Sequence, residues 1–185
     1  KNLQNIFKKC NLKVKKIISK SFVEGASLIN NYSELNAFIK IEINEKNSHI
    51  FFFDNGSLKF FQDFDFGTDI IISDITKITS INEKIVKKIL SNSEFFKKKF
   101  EKDFLEKEFF KEKNFRKIKK KLIKDIATAR IQEMSELMIL KNINFKSFLK
   151  PNIFVLLEIN SKSDLKCMKD VFTFHFSKKN FFKIQ

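Results

Sequence analysis

The chain has 185 residues, a formal net charge of +15 and 43% hydrophobic residues. That apolar share supplies a core and excludes wholesale disorder. Two cysteines without paired spacing and two histidines without ligand partners at useful spacing exclude a disulfide framework and a spacing-defined zinc site.

The aromatic content is one-sided, with 25 Phe, one Tyr and no Trp, and Gly (3) and Pro (1) are scarce. Lys, Asn, Ile and Phe share AT-rich codons, so the composition reads as base-composition bias, which weakens arguments from charge. The lysines are spread over most segments and read as solvated faces rather than one patch for nucleic acid or anionic lipid. Cys10 and Cys167 fall in apolar periodic stretches and are expected as small core residues, and His49 and His175 as structural or exposed ones. No apolar run approaches the ~18 residues of a membrane span. No signal peptide is visible, and a cytosolic protein is expected.

In chain order, Leu3, Ile6, Phe7 and Cys10 predict a helix over 2–10, with Asn11 as its C-cap. Val14, Ile17 and Ile18 predict a short strand over 13–20, and a second helix is expected over 22–30. Strands follow at 37–43 and 49–53, the second a continuous apolar run suited to burial. Asp54-Asn55-Gly56-Ser57 is a hairpin signal, and 58–66 alternates as a third strand, completing an antiparallel meander. Thr68 is the expected N-cap of a helix over 69–78, and another helix covers 82–91. The Lys/Phe/Glu-rich stretch 92–114 reads as helical or irregular. The longest helix is expected over 115–139, burying Phe115, Ile118, Leu122, Ile126, Met134 and Met138, with Ile123, Ala127 and Ile131 widening the stripe. After Pro151, a strand is expected over 153–159 and a helix over 164–172.

This order of elements resembles the actin and sugar-kinase superfamily. Local strings narrow the resemblance to the bacterial cell-division family FtsA. Cys10-Asn11-Leu12-Lys13-Val14 stands where that family has C-G-L-x-V, and Ala26-Ser27 fills its small-residue helix position. Glu42-Ile43-Asn44-Glu45-Lys46-Asn47 stands where the family has D-I-G-G-G-T, with matching spacing to Gly56. Gly67, Ser73, Asp74 and Ile75 are similar to G-x-x-x-T-x-D-I-A, with a slightly stretched spacing, and Arg130-Ile131-Gln132-Glu133-Met134 to R-x-E-E-I. Val155-Leu156-Leu157-Glu158 stands at the strand that ends in L-T-G-G. Glu83 and Lys87 lie near an A-E-x-x-K pattern, one residue out of step. The pilus-assembly protein PilM shares the core and is the runner-up.

The resemblance implies an α/β, actin-like (ribonuclease H-like) ATPase fold in partial form, a mixed sheet flanked by helices. It implies the end of a first actin-like subdomain at 1–34, a second subdomain core at 35–81 and 146–185, and an inserted helical subdomain at 82–145. In the family the first loop holds ATP phosphate and magnesium. Here Glu42 keeps a carboxylate, but Asn44, Glu45 and Lys46 replace the three glycines, and Asn47 follows. Left-handed backbone costs non-glycine residues roughly 1–2 kcal/mol each. Leu157 and Glu158 replace the glycines of the second loop. The expectation is a degenerate site, no enzyme activity and no cofactor in this fragment. The implied partners are the C-terminal tail of FtsZ and other copies of the protein, at the inner face of the cell membrane at the division site. Membrane attachment would come only through a segment outside this chain. The implied partner-binding residues are Lys121, Lys124, Arg130, Glu133 and Met134, with Met138 beside them. A basic nucleic-acid-binding protein and an atypical actin-superfamily ATPase are the alternatives; no specific nucleic acid is expected, since no zinc finger, RNP or GXXG element is present.

Overall fold

The computed structural model describes residues 2–32, 35–92, 95, 103–110, 117–149, 153–160, 165, 168–177 and 182–184. Five strands form one sheet in the order β3-β2-β1-β4-β5. They are β1 (Ala37–Asn44), β2 (Ser48–Asp54), β3 (Ser57–Phe64), β4 (Ile153–Asn160) and β5 (Phe182–Ile184). The first three make the antiparallel meander, whose β2–β3 turn places Asn55 and Gly56 at φ 51° and 70°. Both are left-handed, as a two-residue hairpin matching strand twist requires. β4 then lies parallel to β1, and β5 parallel to β4. The sheet is therefore mixed.

Alternation in β1 sends side chains into two different cores. Ile39, Ile41 and Ile43 point to one face, where they are fully buried with Ile50, Phe52 and Val155. Burying each such side chain stabilises the fold by roughly 1.5–3 kcal/mol. This face is covered by α3 (Thr68–Thr79), α4 (Glu83–Ser91), α5 (Lys120–Ser135) and α6 (Lys169–Ser177), which share that single core. The opposite face gathers Phe38, Phe51 and Phe53, with Phe38 and Phe53 stacked at 4.9 Å. Against it lies α2 (Lys20–Asn31), where a Cβ on Gly25 would sit 2.1 Å from the Phe53 ring. Only glycine lets the helix come so close.

Several expectations are corrected. Residues 12–19 form no strand, and Leu12, Ile17 and Ile18 are exposed. A strand needs a neighbour to take its backbone bonds, and none is offered there among the described residues. Helix α1 (Asn2–Lys9) forms as expected but buries no residue, and Cys10 is exposed rather than core; Cys167 lies outside the described residues. Thr68 is the first buried residue of α3, not its cap; Gly67 holds the cap position without a side-chain bond. The long helix starts at Lys120, because the preceding residues turn to pair with 103–105: Leu105 N–H donates to Ile118 O, and Lys120 N–H to Asp103 O. It ends in a π turn over Glu136–Leu140, closed by Lys141 N–H to Glu136 O at 2.7 Å. Its buried stripe is Ile123, Ala127, Ile131, Met134 and Met138, while Leu122 is exposed, so the inward face is centred one residue beyond the expected one. Phe115 lies outside the described residues. The last helix occupies Lys169–Ser177 rather than 164–172, set by the buried, stacked pair Phe172 and Phe176. Of 92–114, the described residues are irregular except for the bridge of Phe104 to Lys119 and a 3-10 turn at Lys107–Phe110.

Candidate functional site

The β1–β2 turn, where the sequence places its candidate phosphate loop, is a tight closed hairpin. Asn44 N–H donates to Asn47 O at 2.9 Å, and Asn44 Nδ2 donates to Asn47 Oδ1 at 2.9 Å. No residue from Asn44 to Asn47 has a positive φ. The turn's carbonyls face the start of α3. Asp69 N–H donates to Glu45 O at 2.9 Å, so the Glu45 carbonyl takes the capping role expected of Thr68. A Cβ on Gly67 would lie 2.3 Å from Asn44 O and 2.5 Å from Glu45 O, so the contact exists only because residue 67 is glycine. Ser48 Oγ adds a bond to Phe66 O at 2.7 Å. An amide at the positive end of α3 is thus spent on the protein's own carbonyl. Lys46 and Asn47 are exposed at the tip, and Glu45 is half-buried.

Glu42 is not free to hold a metal. Its carboxylate lies 2.5 Å from Lys40 Nζ, which also reaches Glu24 of α2 at 2.8 Å and Glu158 of β4 at 3.3 Å. Lys40 is a buried cation among three carboxylates. Burial alone would lower its pKa, but hydrogen bonds to Glu24 and Glu42 and the charges of Glu42 and Glu158 hold it well above the ordinary lysine value. The Lys40 bond likewise lowers Glu24, against its own partial burial. Among the described residues, no group of three or more His, Cys, Asp or Glu is arranged to hold a metal ion. Beside the cluster, across β2, His49 Nδ1 meets Asp63 Oδ1 at 2.5 Å.

The sequence reading missed Lys40 and Glu24, and named Asp74 only as part of a family string, not as the partner of Arg130. The signal for the first was present: Lys40 interrupts an apolar central strand and shares a face with Glu42 two residues on. Leu157 and Glu158, expected at a loop, lie inside β4 opposite Ile41 and Glu42. That strand runs on to Asn160, so no turn forms at 157–158.

The five expected partner-binding residues all lie on α5 but do not form one strip. Met134 and Met138 are buried and hold the core. Arg130 is engaged within the fold: its Nε donates to Asp74 of α3 at 2.5 Å and its Nη1 to Glu133 at 2.6 Å. At about 100° per residue, Lys121 projects from roughly the opposite side of α5 to Arg130. Lys121 is exposed and Lys124 half-buried, and their spacing of three makes them neighbours. Glu83 and Lys87 pair with each other at 2.6 Å on the exposed side of α4.

No family model matches the sequence, and no curated protein matches it. Solved structures do. The ethanolamine utilization protein EutJ from Carboxydothermus hydrogenoformans is similar over 97% of this chain and 54% of its own, with 12% identity and a TM-score of 0.56. MreB 5 of Spiroplasma citri bound to AMPPNP is similar over 99% of this chain and 58% of its own, with 16% identity and a TM-score of 0.56. The fold is actin-like. A PilM–PilN type IV pilus biogenesis complex agrees, over 94% of this chain and 43% of its counterpart, at 11% identity and a TM-score of 0.53. The chain spans about half the length of these actin-like structures. Identity at this level carries the fold alone. FtsA itself is not among these three structures, so the cell-division reading rests on the sequence resemblance.

Proposed function

We propose that this chain is half of an actin-like scaffold of the FtsA type, which works by holding partners and does not turn over nucleotide through this half. The observation that carries the reading is the β1–β2 turn. Phosphate binding needs converging amides that no Cβ blocks. Here the turn has no glycine and no left-handed residue, its carbonyls are fastened to α3, and the nearby carboxylate of Glu42 is bound by Lys40. These residues do not fit a nucleotide phosphate with its magnesium. The partners on this reading are the FtsZ tail and other copies of the protein, at the division site on the inner face of the membrane.

Two titrations test it. MgATP at millimolar concentration should give no binding signal, and an FtsZ tail peptide should bind. ATP hydrolysis by the full-length protein would overturn the silent-site reading, and absence of peptide binding would remove FtsZ as partner. Within the partner surface, the basic pair of exposed Lys121 and half-buried Lys124 supersedes Arg130 and Met134. Reversing both lysines to Glu should weaken binding of an acidic tail at least tenfold, about 1.4 kcal/mol. Arg130→Ala should instead lower stability by about 1–2 kcal/mol through lost bonds to Asp74 and Glu133, with peptide affinity unchanged.

A second reading is supported by the match to the PilM–PilN complex. On that reading the partner is a PilN-like peptide, and the same titration with both peptides separates the two.

A further inference from the structure

Among the described residues, β3 has β2 on one side and no strand on the other. The register says which of its backbone groups face outward. Asn44 N–H donates to Asn47 O and closes a two-residue loop. Bonded pairs alternate from there, so His49, Phe51 and Phe53 turn their amides and carbonyls to β1. Ser48, Ile50 and Phe52 turn theirs to β3, where they meet Phe64, Gln62 and Phe60. Phe61 and Asp63 therefore direct N–H and C=O away from the sheet. No described residue gives these groups a backbone partner. The same stretch carries exposed side chains. Phe61 is 47% exposed, its ring 5.0 Å from that of Phe51, and Lys59 and Asp63 are exposed two residues to either side. At Lys59 the strand bulges: Phe52 and Phe53 pair with Phe60 and Leu58, which leaves Lys59 without a residue opposite.

We infer that β3 is a self-pairing edge, through which two copies of this chain join antiparallel about a two-fold axis at Phe61 and make one continuous sheet. Three observations select a second copy as the occupant. A bulge and a lysine blunt a sheet edge against arbitrary strands. A second copy lifts that block, because pairing about Phe61 sets each Lys59 opposite the partner's Asp63. Opposite charges directly across a ladder are favourable and like charges are not. At the axis, Phe61 meets its own counterpart with N–H and C=O both pointing across, so the two bonds of a bonded pair form, and the two rings cover each other on one face of the sheet. Such a contact uses the same patch on both copies and closes at two. The function proposed above names other copies of the protein as partners, but this inference does not rest on it: the edge and its charges stand whatever binds α5.

Analytical ultracentrifugation of the purified protein tests it, at about 0.15 M salt, where charges more than about 8 Å apart are largely screened. A concentration-dependent dimer is expected. Lys59→Asp and Asp63→Lys each set like charges across the axis twice, and each should weaken the dimer at least about fivefold. The double variant restores opposite charges and should return to within about threefold of wild type. Asp63→Lys also gives up the His49 contact, which lies within one copy and is lost in the single and double variants alike. Hydrogen exchange reads the strand directly: the Phe61 and Asp63 amides should slow as concentration rises through the dimer range. A protein that stays monomeric at millimolar concentration overturns the inference. So does a dimer that neither single variant weakens, or one that the double variant fails to restore, since either puts the contact on another surface. Amides that slow only when an unrelated strand-forming protein is present assign the edge to a foreign strand and overturn it too.

Discussion

The two ends of β2 are closed by turns of the same length and opposite logic. At one end Asn55 and Gly56 take left-handed backbone, and nothing lies within 4 Å of where a Gly56 Cβ would point. That turn takes its left-handed backbone from its own two residues, Gly56 faces open space, and one bond ties it to the rest of the fold, Asn55 N–H donating to Asn36 O at 2.9 Å. At the other end Glu45 and Lys46 span the gap without left-handed backbone, and the glycine that matters, Gly67, lies across the contact in another segment. The first turn is specified locally; the second is specified by tertiary packing, with α3 on one side and the Lys40 cluster close by. The chemistry of this half of the fold is decided at the second end.

The largest expected effect is at Gly67. An added methyl would sit 2.3 Å from one backbone carbonyl and 2.5 Å from the next, and backbone cannot swing aside as a side chain can. Gly67→Ala should cost about 3 kcal/mol or more, toward the upper end of overpacking penalties. Urea denaturation of the purified variant measures this. A loss under about 1 kcal/mol would mean the turn is free to lift off α3, and the contrast between the two ends would fail.

Next is Lys40→Met, which keeps the length of the side chain and removes the charge. It leaves Glu24, Glu42 and Glu158 facing one another, and should cost about 3 kcal/mol near pH 7. That is the low end for breaking a buried pair, because Glu158 is half exposed and water screens it. The effect depends on pH in a fixed direction. Glu24 has its pKa lowered on folding, so its contribution is present above the ordinary carboxylate value of 4.5 and is lost as pH falls below it. Lys40 is raised, so its contribution is complete below its ordinary value of 10.5 and is lost only as pH climbs past that. The stability gap between wild type and Lys40→Met should therefore be widest from about pH 6 to 9 and narrow as pH falls below about 4.5 and Glu24 protonates. Denaturation midpoints across that range measure it, and a gap constant with pH would show the cluster to be mere packing.

What was legible in the sequence follows the same divide. The meander, α3, α4 and β4 were readable because alternation, helical spacing and the Asn55-Gly56 signal are local. The absence of a strand over 12–19 was not, since Val14, Ile17 and Ile18 carry a strand pattern and only a missing neighbour prevents one. The inward face of α5 was displaced by one residue because Leu122 and Ile123 are both apolar, and only packing against α3 decides between them. At the candidate site, the loss of glycines at 44–46 was plain. The Asp69–Glu45 bond, the capture of Glu42 by Lys40 and the engagement of Arg130 by Asp74 were not, because each joins segments distant in sequence.

The smallest expected effect lies at the Asn55-Gly56 turn. Gly56→Ala meets no atom, so sterics contribute nothing. The cost is conformational: a φ of 70° with a Cβ present is disfavoured by roughly 1–2 kcal/mol. Against this, alanine narrows the unfolded ensemble, which returns about 0.4–1 kcal/mol where the native backbone tolerates it. Here it does not, so only part of that offset applies, and the net loss should be about 1 kcal/mol. Gly56→Asn should cost less than Gly56→Ala, because asparagine tolerates left-handed backbone better than other side chains do. Chemical denaturation of the two variants beside Gly67→Ala gives the ordering directly. If Gly56→Ala proves as damaging as Gly67→Ala, the solvent-facing turn carries tertiary constraints of its own and the two ends of β2 are alike.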